Sequence, residues 1–446
     1  MNSNIFFEKT PPTKLFFMAA IPGSIGMLAS AFYQFLDGIF VSRILGEVPF
    51  AALNLALPFV IINFSLADLV GIGSSVPISI RLGEKNEKEA NNIFSIACIL
   101  ITGLGVLIGI LMYLAAPFLI AAIGAEGALA QDAVVYLRVY AVCSPVTTIV
   151  FAVDNYMRIC GKIRRSMILN IIMSVLSAFL EFTFLYFFHW GIGGAALATC
   201  IGMAASTIIA FYPFFRGKMQ LCFCRPHFNV RIIKQILICG TPGFLGNVAG
   251  RIASILINTI LLRLGGATAV SVYGILMYVD AFVQPLLYGM CDSIQPAVGY
   301  NWGARLVGRV KSLEKRCYAA CLTVSAAAAA LVFFFPDQLI TLFAGKSGDE
   351  YRLLAKNAII LFSTAYFTRW ISFATISFLS AIEKSVHASI ISLMSSLIFP
   401  VLVLIVLFPA GLPGVWLNLS VTSLLSAILS IVLMKINLKK AKLQEI

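Results

Sequence analysis

Residues 93–121 read IFSIACILITGLGVLIGILMYLAAPFLIA, without one charged side chain. Crossing the hydrocarbon core of a bilayer takes about 20 apolar residues as a helix, so this run spans with length to spare for tilt. Lipid offers no water to an unpaired backbone group, and only helices or closed barrels satisfy every N–H and C=O there. Barrel strands read as short segments of alternating polarity, a pattern this chain does not show. Working outward, similar runs recur over approximately 15–42, 53–80, 134–157, 167–188, 193–215, 233–262, 272–299, 317–343, 353–379, 387–408 and 415–434. With 93–121 they make twelve predicted spans. The whole composition agrees: 60% of residues are hydrophobic and 11% charged, whereas a soluble domain carries about 25% charge. Pro22, Pro58, Pro77, Pro145, Pro285, Pro296 and Pro400 fall within or near spans. Each removes an internal hydrogen bond and marks an expected kink.

The basic residues set the expected orientation. Counting loops from the amino terminus, the side that holds both termini carries twenty-four Lys and Arg, and the other side carries Arg43, Arg263, Lys346 and Arg352. Lys and Arg concentrate on the cytoplasmic side, so both termini are expected there, in a cell (inner) membrane. The net charge of +13 then reflects a basic face beside anionic lipid and calls for no nucleic acid.

The two halves share landmarks. Pro22-Gly23 matches Pro242-Gly243, Leu45-Gly46 matches Leu264-Gly265, and Gly83 matches Gly303, at offsets close to 220 residues. Six spans return the chain to its starting side, so the repeats must have the same topology, as in transporters whose site lies between the halves. The expected division is a six-helix bundle over 1–215 with a tail at 1–14, a cytoplasmic linker at 216–232, and a second six-helix bundle over 233–446. The fold class is therefore all-α membrane protein, with a central cleft between pseudo-symmetric bundles.

Other chemistries find little support. No GxxxxGK[ST] phosphate loop occurs, so no nucleotide site powers this chain. Cys222, Cys224 and His227 offer too few ligands at the wrong spacing for zinc. The ten cysteines read as small buried hydrophobes scattered through apolar runs, such as Cys98, Cys143 and Cys200. His189, beside Trp190, reads as an interface anchor. No cofactor and no enzymatic activity is expected, and the chain is expected to be a monomer.

Four segments resemble the multidrug and toxic compound extrusion family of cation-coupled antiporters. They are FLDGIFVSRILGEVPFAALNLALPF at 35–59, VDNYMRICGKIRRSMILNIIMSVLSAFLEFTFLYFFHWGIGGAALAT at 153–199, GTPGFLGN at 240–247 and LLYGMCDSIQPAVGYNWGAR at 286–305. The resemblance implies two six-helix bundles around a V-shaped cleft. It implies export of bulky, often cationic and aromatic compounds against Na+ or H+. The family's amino-terminal cation site falls on Asp37, Asn155, Ser177, Glu181 and Thr199. Here Glu stands where the family has Asp at 181, and Ser where it has Asn at 177. The carboxylate is kept on a longer arm and one amide ligand is lost, which leans toward H+ over a tight Na+ cage. Asp37 and Glu181 are the only Na+ ligands proposed. The acid that one branch of the family carries near Gly250 is missing.

The residues themselves point the same way. An ionised group at the bilayer centre costs about 3 kcal/mol or more, and six acids lie in or near spans: Asp37, Asp68, Asp154, Glu181, Asp280 and Asp292. Proton and drug competing for one carboxylate is the chemical core of antiport. Tyr33, Gln34 and Asp37 share one face of the first span, and Ser177 and Glu181 share one face of the fifth. The eighth span carries Asp280, Gln284, Tyr288 and Asp292. The seventh carries Asn247, Arg251, Ser254 and Asn258, and Arg251 is expected to pair with Asp280 or Asp292. Asp154 is read as a solvated pair with Arg158. Met27, Tyr33 and Phe64 are expected to line the cavity, since aromatic faces attract organic cations and methionine adapts to varied shapes. The substrate contacts expected are therefore Met27, Tyr33, Gln34, Asp37, Phe64, Glu181, Asn247, Arg251, Asp280, Gln284, Tyr288 and Asp292. The rival function is a lipid-linked oligosaccharide precursor flippase, which needs basic groups in the cleft; Arg251 and Arg369 are the two on offer.

Overall fold

The computed structural model describes residues 3–344 and 348–443, and every element in them is helical. Lys346, counted above on the sparsely charged side, lies outside the described residues. Among the described residues, eleven helices are long and apolar enough to cross a membrane, and one bent pair brings the total to twelve. In order they are Pro12–Leu45, Glu47–Gly83, Glu87–Ala122, Gly127–Ile159, Ile163–Phe187, Gly191–Phe215, Val230–Gly266, Thr268–Gly303, Val307–Phe334, the pair Asp349–Ser363 and Tyr366–Ala381, Ser385–Ala410, and Leu412–Asn437. They are called the first to twelfth spans below. Two tight reversals need glycine: Gly46 between the first and second spans has φ 97°, and Gly266 between the seventh and eighth has φ 60°, a region costly for any residue with a Cβ.

Two expectations need correction. The ninth span does not run to 343; it stops at Phe334, and a separate short helix starts at Pro336, whose ring favours a helix start and opposes continuation. The tenth span bends by 44° between Ser363 and Tyr366, where the sequence has no proline. Ser363 and Thr364 donate their hydroxyls to the Ile360 and Leu361 carbonyls at 2.9 and 2.8 Å, which competes with the helix ladder.

The repeat noticed in the sequence is visible in the packing. Glycines bring the halves into backbone contact: a Cβ on Gly83 would sit 2.1 Å from the Tyr300 carbonyl oxygen, and one on Gly303 would sit 2.1 Å from that of Ile80. The second pair mirrors the first at the same 220-residue offset, so the seam has pseudo-two-fold symmetry. Further along, Gly73 meets Ile236 and Gly240 meets Leu69, while Gly23 meets Gly289 and Ser293. The first span thus meets the eighth as the seventh meets the second. Gly240→Ala would place a methyl 1.8 Å from the Leu69 oxygen, and backbone cannot yield as a side chain does. We expect it to destabilise the detergent-solubilised protein by about 1–3 kcal/mol. Gly250→Ala meets nothing within 4 Å and should be neutral or stabilising by up to about 1 kcal/mol. Equal melting temperatures for the two variants would refute this account of the seam.

The helix Ser3–Lys9 bridges the halves at the end where Gly83 and Gly303 meet. Phe6 lies against Gly161 of the first half, and the Phe7 ring lies 5.4 Å from that of Tyr300. Arg309 donates to the Phe7 and Thr10 carbonyls at 2.8 and 2.5 Å and to Asn301 Oδ1 at 3.0 Å. Between the sixth and seventh spans, the segment from 216 to 229 is strapped to the third span: Asn91 accepts from Cys222 N–H, Ser95 Oγ from Cys224 N–H, and Asn92 from His227 N–H.

Candidate carboxylate site and the polar groups between the bundles

The first span packs on the fifth, and the fifth on the sixth. Their polar residues fall at helical spacing, which turns Tyr33 and Asp37, Ser177 and Glu181, and Thr199 toward one another. Tyr33 Oη donates to Glu181 Oε2 at 3.1 Å and lies 2.6 Å from Thr199 Oγ1. Glu181 is 0% exposed and Tyr33 9%. The Asp37 and Glu181 carboxyls lie within side-chain hydrogen-bonding reach. Asp37 Oδ1 and Glu181 Oε1 are buried and find no donor. Two carboxylate oxygens side by side both accept and neither donates, so the pair fits together only around a shared proton or a cation. Backbone irregularity sits beside it. The first span passes into a π turn at Val41–Leu45 and the fifth at Thr183–Phe187, each just past its carboxylate. Such wide turns loosen the hydrogen-bond ladder and are frequent at functional sites.

Not every expected member joins this cluster. Ser177 is buried with its Oγ against Gly202, where a Cβ would come within 2.0 Å; it shares Glu181's helix face. Asn155 donates back to the Phe151 carbonyl at 3.2 Å and, among the described residues, makes no bond to the carboxylates. Gln34 is exposed, and Met27 is half-buried on the same span. Phe64 packs its ring 5.4 Å from Phe151 and 6.2 Å from Tyr140. The sequence reading missed Tyr140 and Tyr136. Tyr140 lies within hydrogen-bonding reach of Thr199 and Tyr136, and both tyrosines are buried. Tyr136, Tyr140 and Ser144 form a stripe at steps of four on the fourth span, and that spacing carried the signal.

The second half corrects the ion pair. Asp280 does not pair with Arg251; Arg369 Nη1 donates to Asp280 Oδ1 at 2.7 Å, and Tyr366 Oη adds a bond at 3.4 Å. The bend in the tenth span ends at Tyr366, so the turn bearing Tyr366 and Arg369 faces Asp280. The Arg369 guanidinium also lies 5.1 Å from the Phe373 ring centre, and Tyr288 packs on that ring at 4.6 Å. Arg251 and Asn247 are exposed, and Arg251 has no ion-pair partner among the described residues. Nor does Asp292 pair with Arg251: it accepts from Gln295 Nε2 at 3.1 Å, near Asp68. The eighth-span stripe divides because steps of four overshoot a 3.6-residue turn, which rotates Asp292 well away from Asp280. Gln284, between them, is half-buried.

Asp154 also needs correction, since its pair with Arg158 is largely enclosed rather than solvated: Arg158 is buried and Asp154 half-buried. The two lie 2.5 Å apart, with side chains 18% and 5% exposed. Ser166 and Asn170 donate to Asp154 Oδ1, and Arg158 reaches across to Ser293 Oγ of the second half at 3.3 Å. This network ties the halves together beside Gly23.

Twelve spans in two related bundles, with ionisable groups buried in each and along the seam, define a membrane transporter. The MatE family model matches residues 22–183 and 242–406, one block in each half; the chain belongs to the MatE family. Multidrug export protein MepA from Staphylococcus saprophyticus is 24% identical over 99% of this chain and 98% of its own length. MepA from Staphylococcus aureus is 25% identical over 95% of this chain and 93% of its own. Among solved structures, one described as MATE in complex with MaL6 superposes with a TM-score of 0.93 at 23% identity, covering 99% of this chain and 100% of that one. Another, described as the outward-facing conformation of a multidrug resistance MATE family transporter, also superposes with a TM-score of 0.93 at 23% identity, over 99% of each chain.

Proposed function

We propose that this protein exports bulky, cationic and aromatic compounds in exchange for H+, with Asp37 and Glu181 as the coupling pair. The observation that carries the proposal is the buried approach of two carboxyl groups, each with one oxygen that lacks any donor. With a proton shared between them, the pair closes on itself. Losing that proton leaves two like charges close together in low dielectric, which attract a metal ion or an organic cation in the cleft. Proton and drug then weaken each other's binding by one and the same factor. Tyr33 holds Glu181 in register, and Thr199 holds the Tyr33 hydroxyl.

Multidrug export in the two MepA relatives supports the substrate class. The flippase reading is the weaker one: Arg369 is already committed to Asp280, which leaves Arg251 alone to meet a pyrophosphate. Exposure of Arg251 and Asn247 within a span fits a water-filled cleft, because an arginine facing lipid is costly. That cleft supplies the remaining proposed substrate contacts at Met27, Gln34, Phe64, Gln284, Tyr288 and Asp292. The division at 216–232, cytoplasmic termini, an inner-membrane location and a monomeric state belong to the same proposal. So does closure of the basic, cytoplasmic end by the Arg158 network and the paired glycines.

Purified protein in sealed vesicles, loaded with a cationic dye, tests the coupling. An imposed pH gradient should drive dye transport and an imposed Na+ gradient of equal size should not. Transport driven by Na+ alone would overturn H+ coupling, and none under either gradient would overturn the antiport reading.

A further inference from the structure

The fold collects three cysteines that the sequence reading treated as scattered hydrophobes. Cys317 and Cys321 are one turn apart on the ninth span, and Cys291 faces them from the eighth. Cys291 Sγ lies 3.5 Å from Cys321 Sγ and 3.9 Å from Cys317 Sγ, and all three sulfurs lie within 4.8 Å of one another. They are 1%, 5% and 0% exposed. An atom bonded to three sulfurs at about 2.3 Å holds them about 4 Å apart when planar, and closer when pyramidal. The spacing is that of a three-coordinate thiolate site.

Charge decides which thiophile suits it. Structural zinc takes four ligands, and among the described residues no further His, Cys, Asp or Glu joins this group. Cu(I) is the usual soft ion for thiolates, but three thiolates around a single positive charge leave net negative charge in an apolar interior, which is costly. A trivalent centre on three thiolates is neutral. The approach agrees. A groove of about 370 Å³ lined by Lys311, Glu314, Lys315, Tyr318 and Lys435 shares Glu314 and Tyr318 with a water-sized cavity that reaches Cys317. Three lysines against one carboxylate repel a bare metal cation and leave a neutral solute unaffected.

We propose that Cys291, Cys317 and Cys321 form a binding site for a neutral trivalent metalloid hydroxide, As(OH)3 or Sb(OH)3. Three S–H and three metalloid–O bonds break, three metalloid–S bonds form, and each thiol proton leaves with a hydroxide as water. The metalloid stays trivalent and no charge is buried. Occupancy braces the eighth span to the ninth. It also reaches the transport seam, because the Cys291 carbonyl accepts from Ser377, which accepts from the Gln295 that holds Asp292.

The test uses the reduced, full-length protein in detergent with sodium arsenite. Intact mass should show one arsenic per chain, and X-ray absorption should show three sulfur neighbours and no oxygen. Cys291→Ser, Cys317→Ser and Cys321→Ser should each weaken retention by at least about tenfold, while Cys222→Ser/Cys224→Ser keeps it. Should the buried variants not fold, the wild-type protein still decides: in mild denaturant, where the buried thiols open and react, arsenite should slow alkylation of Cys291, Cys317 and Cys321, but not of Cys222 or Cys224, as mapped by mass spectrometry. No retained arsenic, unchanged alkylation at the three cysteines, or Cu(I) held by them while arsenite is excluded would each overturn the proposal.

Discussion

Vesicles carrying Glu181→Gln lose gradient-driven export by about a hundredfold, while the protein melts at or above the wild-type temperature. Glutamine keeps the size of the side chain and a carbonyl oxygen for the Tyr33 hydroxyl, which bonds Glu181 at 3.1 Å. Its amide can donate to Asp37, whose Oδ1 otherwise finds no donor. The variant therefore satisfies the buried pair permanently, as a shared proton does only in one stage of the cycle. Folding is preserved or improved, and the exchangeable proton is gone. Asp37→Asn should behave alike from the other side. Drug binding should persist in both and cease to respond to pH, which separates lost coupling from lost fold. Wild-type export by both variants would end the assignment of this pair as the coupling site.

Arg369→Met has the largest expected effect on stability. Its guanidinium bonds Asp280 at 2.7 Å, with the two side chains 15% and 10% exposed. Removing one partner leaves a buried charge uncompensated, at a cost of about 3–5 kcal/mol. Asp280→Asn should cost a similar amount. The double variant Arg369→Met/Asp280→Asn removes both charges, and replacing a whole buried pair is often neutral, so its melting temperature should return most of the way to wild type. Thermal unfolding of the four proteins measures this directly, and additive losses in the double variant would show that the two side chains do not interact. Export by the double variant then tells what the pair does. Wild-type rates make it structural, whereas a folded but silent protein makes it part of the transport cycle.

The twelve spans and the repeat were legible because lipid imposes rules on sequence alone. A run such as 93–121 must be a helix, since no other structure pairs its backbone in hydrocarbon. Gly83 and Gly303 announced the repeat, and the structure shows why both are glycine: each is pressed onto a carbonyl of the opposite half. The carboxylate cluster was half legible. Tyr33, Asp37 and Glu181 stood out because polar groups are rare in spans, and periodicity gave the face each occupies. Tyr140 hid among 14 tyrosines, because a tyrosine in a span is ordinary until its hydroxyl has a partner.

Pairing is what the sequence left open. Helical periodicity fixes direction around one axis and says nothing about which neighbouring helix lies there. Arg251 was the expected partner of Asp280, and the structure gives that place to Arg369, just past a bend without proline. Asp154 looked solvated because it lies near a span end, and only packing against the second half enclosed its pair with Arg158. Cys291 of the eighth span became a neighbour of Cys317 and Cys321 on the ninth in the same way. The chain by itself therefore determined the number of spans, their internal symmetry and the acids worth attention, because solvation acts on each segment separately. Which charges neutralise one another was decided only by the tertiary structure, because that depends on distances between segments that no single segment encodes.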